Sequence, residues 1–439
     1  MQAEKQTTKD VTVMGRKLAG SILRGFQSAL NWFANSSVRA FVVIFILAFG
    51  IRAYTLKDVS PWDLPPSPNR ELGAIAESLV KTGQFANPYV LETGPTAHLP
   101  PVTPAILALV YYLFGNTLAT GYVYMGFTIM TNAALYAMAP WVAGKFGLGK
   151  QAGFIGGIIG AFMVESDWST HGEGLAGVLL GLMLVGFLKR WGDERNSLFT
   201  SLMFGLGIGT SFHVQPVLLL VFLGCFVFEI GWRKSNKRLA FTCMLVLGVI
   251  LACMPWAWRN YNVFHAFFFI RSNLGLELRM GNHEGATAAM ETMNFSRPQH
   301  PRTQIAEARK VQQLGEVEYM RQAKREALAW IRENPLEFLK LTFMRFIYFW
   351  FGPLYLGWIA VVITVLTILA VLDIRRIFQL LSLPQLTVIL VPLLTYPLIY
   401  YLVPYMPRYR TPIDWMIFTL AGVEIWYWIG RIAKENVYA

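Results

Sequence analysis

Apolar runs long enough to cross a lipid bilayer recur along this chain and constrain its fold more than any other feature. A helix needs about 20 apolar residues to span the hydrocarbon core of a membrane. Hydrophobic residues make up 55% of the 439 positions and charged residues only 15%, whereas soluble domains carry about 25% charged residues. The alternating pattern of an outer-membrane barrel is absent. The sequence therefore predicts an all-α integral membrane protein.

The number of spans follows from the distribution of charge among the connections. Loops rich in Lys and Arg favour the cytoplasmic side of a membrane. Their alternation with less basic connections predicts a polytopic bundle of about ten spans. Two shorter apolar runs, Val102–Phe114 and 338–350, raise the count to between about 11 and 13 if they also cross.

The same alternation divides the chain into four parts. They are a basic amphipathic cytoplasmic N-terminus at 1–37, an N-terminal transmembrane module at 38–256 with an outside loop at 57–101, an extracytoplasmic helical segment at 257–350, and a C-terminal transmembrane module at 351–439. The first apolar run begins late and lacks a small-residue cleavage site, so we expect a retained first span rather than a signal peptide. Within the third part, residues 315–334 predict an amphipathic helix that Pro335 ends.

Charge and cysteine content exclude several partners and cofactors. The net charge of +12 is typical of basic cytoplasmic loops in a membrane protein, so we expect membrane lipids and no nucleic acid as partners. Cys225, Cys243 and Cys253 all fall in apolar runs, where cysteine usually behaves as a small hydrophobic residue. We therefore expect no disulfide framework and no metal cluster of cysteines.

Polar chemistry is concentrated on one predicted side of the membrane. All six histidines fall on the side opposite the basic loops, namely His98, His171, His213, His265, His283 and His300. The outside loop at 57–101 adds several acidic residues and prolines. This one-sided distribution predicts an extracytoplasmic site.

Two acidic residues of the outside loop are candidate catalytic bases. Glu71 lies in a predicted short amphipathic helix that begins after Pro68, and a carboxylate near a membrane surface can accept a proton if its pKa is raised. The alternative for Glu71 is an ordinary first-turn acid favoured by the helix dipole. Asp63 is the second candidate, and its alternative is a turn residue.

Further polar residues are candidates for substrate binding. The prolines after His98 fix the backbone at the membrane interface, which favours a substrate contact. The predicted substrate-binding set is Tyr89, His98, Glu165, Asp167, His171 and Asn282. The stretch from Glu165 to Glu173 matches no standard metal-ligand spacing. A divalent metal therefore has no support from the sequence.

Arginines on the outside are candidate ligands for a lipid phosphate. Arg259, Arg271, Arg408 and Arg410 lie there against the usual charge bias. Their alternative is interfacial anchoring, but guanidinium groups bind phosphate through paired hydrogen bonds. The predicted donor-phosphate site consists of these four residues.

Four pieces of sequence resemble a known family. They are E-x-G-x-I-A-x-S-L-x-x-x-G-x-F from Glu71 to Phe85, P-W-x-x-R-N-Y-x-V-F from Pro255 to Phe264 with a continuation to Gly281-Asn282, Asn334-Pro335 followed by Arg345 and Trp350, and Arg408-Tyr409-Arg410-Thr411-Pro412. In this order they resemble the polytopic C-superfamily glycosyltransferases (GT-C). The similar branch is the bacterial one related to protein O-mannosyltransferases and the lipid A aminoarabinose transferase.

The resemblance implies an inverting glycosyltransferase of the bacterial inner membrane. Such an enzyme takes a sugar from a polyprenyl-phosphate donor and passes it to a glycan, lipid or protein hydroxyl on the outer side. The family's first outside loop usually supplies an Asp of an Asp-Glu pair, where this chain has Pro68-Asn69. Glu71 and Asp63 are the neighbouring acids. The alternatives are a transporter or flippase of a lipid-linked glycan, which favours polar residues at the membrane midplane, and a membrane scaffold.

Overall fold

The computed structural model describes residues 24–58, 71–164, 171–192, 197–232, 236–290, 300–372 and 374–435. Over these ranges the chain is all-helical and contains no strand. After a helical stretch at 24–35, the helices α1 to α18 are, in chain order, Ser37–Thr55, Glu71–Thr82, Val102–Phe114, Leu118–Ala137, Ala139–Phe146, Lys150–Phe162, Glu173–Gly192, Leu198–Phe212, Leu218–Trp232, Asn236–Phe264, Leu274–Gly281, Ile305–Leu314, Glu316–Glu333, Pro335–Phe351, Trp358–Leu372, Ile374–Leu380, Leu383–Thr395 and Thr411–Glu435.

Four segments of the described chain are long and apolar enough to cross a membrane. They are Ser37–Thr55, Glu173–Gly192, Leu239–Phe264 and Leu383–Tyr401. Helices α15 and α16 meet at a bend of 40° and count as a fifth if they form one span. These segments are consistent with a helical membrane protein. The predicted count of about ten spans stays a prediction.

Several apolar helices are shorter than a bilayer core. Helix α3 has 13 residues, which at about 1.5 Å per residue gives roughly 20 Å, against about 30 Å for the hydrocarbon core. Helices α8 and α9, each 15 residues long, are only slightly longer. Length and composition therefore do not identify these helices as full crossings.

Small residues let the central helices pack at backbone contact. A Cβ added to Gly156 of α6 would lie 2.6 Å from the Thr419 nitrogen of α18, and one added to Gly422 would lie 2.3 Å from the Ala152 oxygen. Gly205 and Gly248 bring α8 and α10 together in the same way. Small residues at such contacts are typical of helix association in membranes.

Two predicted helices flank the polar site as the sequence indicates. Helix α2, described from Glu71 to Thr82, matches the short amphipathic helix predicted after Pro68, and it buries Leu72, Ile75 and Ala76 against α3. Helix α13, Glu316–Glu333, matches the amphipathic helix predicted at 315–334, and it buries the apolar side chains of Met320 and Ala327. Asn334 separates it from α14, which begins at Pro335.

A buried ion pair joins helices α7 and α9. Arg190 donates to both carboxylate oxygens of Glu229 at 2.9 to 3.0 Å. Thr242 of α10 donates to the same carboxylate at 2.8 Å. Both charged side chains are almost fully buried, so each charge depends on the other for the interactions that water would otherwise supply.

Removing one partner of this pair should destabilise the helix bundle. We expect Glu229→Ala to cost about 3–5 kcal/mol, because it leaves the Arg190 charge buried and without its carboxylate. The double variant Arg190→Met with Glu229→Leu should recover most of that loss. Thermal unfolding of the protein in lipid nanodiscs measures both, with Glu318→Ala, at an exposed ion pair, as the control. Equal unfolding temperatures for Glu229→Ala and the wild type would contradict the expectation.

Candidate functional site

A polar cleft of about 590 Å³ opens where several connections between helices meet. Its walls come from α2, from the loop before α3, from the start of α7, from the segment before and within α11, and from the turn before α18. The charged and hydrogen-bonding residues that line it are Glu71, His98, His171, Glu173, Gln215, Arg271, Glu277, Arg408 and Tyr409. Acidic and basic side chains therefore line a single opening.

One wall of the cleft is a cluster of Glu71 with two histidines. His98 Nε2 lies 3.4 Å from Glu71 Oε2, and His300 Nε2 lies 3.5 Å from Glu71 Oε1. The Tyr89 hydroxyl lies 3.0 Å from His98 Nδ1. Tyr89 thus fixes the ring of His98 so that its other nitrogen faces the carboxylate.

The histidines hold the pKa of the Glu71 carboxyl well below its usual range. Burial raises that pKa, but the charge of His98 and its contact with Glu71, together with the charges of His300 and Arg302, lower it by more. Burial lowers the pKa of His98, and Glu71 more than reverses this, so the pKa of His98 is raised. The pKa of His300 is lowered, chiefly by burial. Glu71 is therefore ionised at neutral pH and is a weak proton acceptor.

The same three residues have the geometry of metal ligands. One ligand atom from each of Glu71, His98 and His300 lies within 4.8 Å of the other two. Donors about 2.1 Å from a tetrahedral ion lie about 3.4 Å apart, and the two imidazole nitrogens lie 3.4 and 3.5 Å from the two Glu71 carboxylate oxygens. These side chains could thus hold a divalent cation such as Zn²⁺ and leave one position open. Sequence spacing gave no sign of this, because His300 is distant in the chain.

Another part of the cleft is organised around Arg408. Its Nη1 donates to Nδ1 of His171, and the same nitrogen lies 3.6 Å from a carboxylate oxygen of Glu173. Glu173 also accepts a hydrogen bond of 3.0 Å from the His171 backbone nitrogen. Its position in the first turn of α7 is favourable for an acidic side chain.

Arg271 and Glu277 complete the cleft beside His98. Arg271 Nε donates to the His98 carbonyl at 2.9 Å, and its Nη2 lies 4.0 Å from Glu277. Asn273 donates to Glu277 at 2.7 Å. The Arg271 side chain keeps 27% of its surface exposed, so its outer nitrogens remain accessible from the cleft.

The carboxylate of Glu316 holds the loop that carries His98. It accepts hydrogen bonds from Thr96 Oγ1 at 2.5 Å and from the Ala97 nitrogen at 2.8 Å. It also accepts one of 2.6 Å from Ser272 Oγ. Helix α13 therefore fixes the His98 loop against the segment that carries Arg271.

Two of the four arginines predicted to bind phosphate lie outside the cleft. Arg259 donates to the carbonyls of Thr96 and Phe85 at 2.8 and 3.0 Å, and so supports the outside loop from behind. Arg410 is buried and pairs with Asp414 at 2.6 Å, beside a separate, largely apolar cavity. The sequence did not separate these two from Arg271 and Arg408, because side-chain direction depends on tertiary packing.

The other predicted residues divide among three locations. His98, Tyr89 and His171 belong to the cleft or its support. Asn282 is buried and bonds to the Leu278 and Leu402 carbonyls, so it is not a cleft residue. Asp63, Glu165 and Asp167 lie outside the described residues. Sequence reasoning left out Glu173, Gln215, Glu277, Tyr409 and His300, although His300 belongs to the one-sided histidine set.

Comparison with known proteins finds no matching family model, no similar curated protein and no similar solved structure.

The cluster of Glu71, His98 and His300 should bind one Zn²⁺ per chain. We expect Glu71→Gln and His300→Asn to weaken binding at least about tenfold, because even indirect partners of a metal ligand matter by 10–100-fold. Tyr89→Phe, which loses the hydroxyl next to His98, should weaken it about 10–100-fold. Titration calorimetry of the metal-stripped protein measures these affinities.

His265→Asn is the matched control for that titration, since His265 does not belong to the cluster. Its zinc affinity should equal that of the wild type. If Glu71→Gln and His300→Asn also bind zinc with wild-type affinity, the cluster is not a metal site.

Proposed function

We propose that this protein is an inverting glycosyltransferase that moves a sugar from a polyprenyl-phosphate donor to an acceptor hydroxyl. The proposal includes a GT-C-like bundle of about ten spans and a site on the extracytoplasmic side of the bacterial inner membrane. The observation that carries it is the cleft in which Arg271 and Arg408 stand with Glu71, Glu173 and Glu277. The long apolar helices support a substrate that arrives from the membrane.

Arg271 and Arg408 suit the anion that this reaction releases. The acceptor oxygen attacks the anomeric carbon while the bond from that carbon to the phosphate oxygen breaks. Polyprenyl phosphate leaves with the electron pair of that bond. Fixed positive charge near the departing oxygen stabilises this transition state. The two guanidinium groups line one cleft, and each already has a carboxylate within 4.0 Å that holds it in place.

The proton of the acceptor hydroxyl needs a carboxylate from the outside loop. Glu71 lines the cleft, but its lowered pKa makes it a weak base. Because two histidines lie beside it, Glu71 is better placed to bind a cation or to orient an imidazole than to accept a proton. Of the two acids that the sequence singles out, Asp63 is therefore our first choice for the proton acceptor. Glu71 is the second choice.

Loss of either cleft arginine should slow donor cleavage. We expect Arg271→Met and Arg408→Met each to lower kcat about 10²–10³-fold, as removal of one group that stabilises transition-state charge does. Arg309→Met, at an exposed position of α12, should behave as the wild type. Release of polyprenyl phosphate from a panel of polyprenyl-phosphate pentoses and hexoses in proteoliposomes measures the rates.

The same assay separates the transferase from the alternatives. A transporter or flippase of a lipid-linked glycan moves the intact donor across the bilayer and releases no polyprenyl phosphate. A scaffold does neither. If no donor of the panel is cleaved above the rate of protein-free liposomes, the proposed function is wrong.

The two candidate bases should differ in their effect on rate. We expect Asp63→Asn to lower kcat about 10²–10⁴-fold, the usual contribution of a general base. Glu71→Gln should lower kcat less, because in this assignment Glu71 orients His98 and His300 and does not accept the proton. Single-turnover cleavage rates of the two variants test this, and a larger loss in Glu71→Gln than in Asp63→Asn would reverse the assignment.

A further inference from the structure

A buried arginine outside the cleft has no carboxylate partner in the part of the chain that the structure describes. Arg345, in the middle of α14, is 0% exposed. Among the described residues no carboxylate lies within ion-pair distance of it, and its Nε is buried without a hydrogen-bond partner. An isolated buried charge is costly, and replacing such a residue with an apolar one of similar volume is often neutral or stabilising. Stability alone therefore gives a weak reason for an arginine here.

The two outer nitrogens of Arg345 hold the end of helix α11. Nη2 donates to the Gly281 carbonyl, and Nη1 lies 3.3 Å from Asn282 Oδ1. A cation at a helix C-terminus also interacts favourably with the helix dipole. A Cβ on Gly281 would lie 2.9 Å from Pro404 and 3.2 Å from Arg345 Nη2. Glycine is thus needed for this close approach.

Asn282 joins the end of α11 to the segment before α18. Its Nδ2 donates to the Leu402 carbonyl at 2.9 Å. Three residues further on, the Tyr405 nitrogen donates to Ala288 at 2.8 Å, and the Met290 nitrogen donates to Tyr405 at 3.0 Å. Residues 281–290 and 402–405 therefore run side by side, and Arg345 bonds to the first of these two segments.

These two segments lead directly to two groups of residues that line the cleft. Helix α11, which ends at Gly281, carries Glu277, and Arg271 precedes it. The segment that continues from Tyr405 carries Arg408 and Tyr409. The distance between the two cleft arginines thus depends on how α11 and the 402–405 segment are held together.

We infer that Arg345 is a positioning residue that sets the spacing between the wall of Arg271 and Glu277 and the wall of Arg408 and Tyr409. Its effect on rate rests on the proposed function, whereas its effect on the two segments does not. This role also explains Gly281, Asn282 and Arg345, which belong to the sequence motifs described above but do not line the cleft. A side chain that only filled space would serve the fold as well but would not make these directed bonds.

The test compares Arg345→Met, Arg345→Lys and Lys340→Met in lipid nanodiscs. Lys340 is on the same helix and exposed, so Lys340→Met controls for the loss of a positive charge. Amide hydrogen exchange of residues 281–290 and 402–410 reports whether the segments stay together. We expect faster exchange in both for Arg345→Met, a smaller increase for Arg345→Lys, and no change for Lys340→Met. The unfolding temperature of Arg345→Met should stay close to that of the wild type.

Donor cleavage gives the second readout. Arg345→Met should lower kcat about 10–100-fold, as misplacement of a catalytic group by about 1 Å does, with Arg345→Lys in between. Wild-type exchange in both segments of Arg345→Met would overturn the inference, whatever the cleavage assay shows. Altered exchange when even the wild type cleaves no donor would leave the positioning role standing and reject the proposed function.

If Arg345→Met does not fold, Asn282→Leu is a second variant that tests the same inference. It removes the side-chain bonds of Asn282 to Leu402, Leu278 and Arg345 Nη1, and leaves Gly281 bonded to Arg345. Faster exchange at 402–410 is then the expected result. Unchanged exchange there would overturn the inference.

Discussion

The carboxylate of Glu316 is the contact on which the cleft most depends. It binds Thr96 and Ala97 of the outside loop and Ser272 of the segment before α11. Arg259 supports the same loop through the Thr96 and Phe85 carbonyls. A loop rich in proline has few backbone donors of its own, so side chains from elsewhere must fix it. With these contacts in place, His98 faces Glu71 and its carbonyl accepts a hydrogen bond from Arg271.

The charged side chains of the cleft are held in place by oppositely charged neighbours, and Arg271 still keeps part of its surface exposed. Glu71 faces two imidazoles, and each of the two lining arginines has a carboxylate neighbour. Such pairing keeps the charged side chains in fixed directions before a substrate arrives, which is how protein dipoles and charges stabilise a transition state at low cost. Outside the cleft, Arg345 and Asn282 hold the segments that carry the two walls. Arg271 and Arg408 thus line the cleft, whereas Arg345 and Asn282 lie outside it and bond to the segments that carry the lining residues.

The sequence predicted local structure well and the site only in part. The period of residues 315–334 predicted α13, and the pattern after Pro68 predicted the short amphipathic helix that α2 matches, because both depend on neighbouring residues. Arg259 and Arg271 looked equivalent in sequence, yet one supports the loop from behind and the other faces the cleft. His300 joins Glu71 only through tertiary folding, and no local pattern reports such a meeting. The charge pattern predicted polar chemistry on one side, and the cleft gathers three of the six histidines, His98, His171 and His300, in or beside it.

The most direct test of the central claim is the position of a bound lipid phosphate. A cryo-EM map of the protein in nanodiscs with added polyprenyl phosphate would show it. The account predicts phosphate density in the cleft, in hydrogen-bond contact with both Arg271 and Arg408, and a prenyl chain that leads into the membrane. Phosphate density beside Arg259 or Arg410, or in a polar cavity at the membrane midplane, would contradict it.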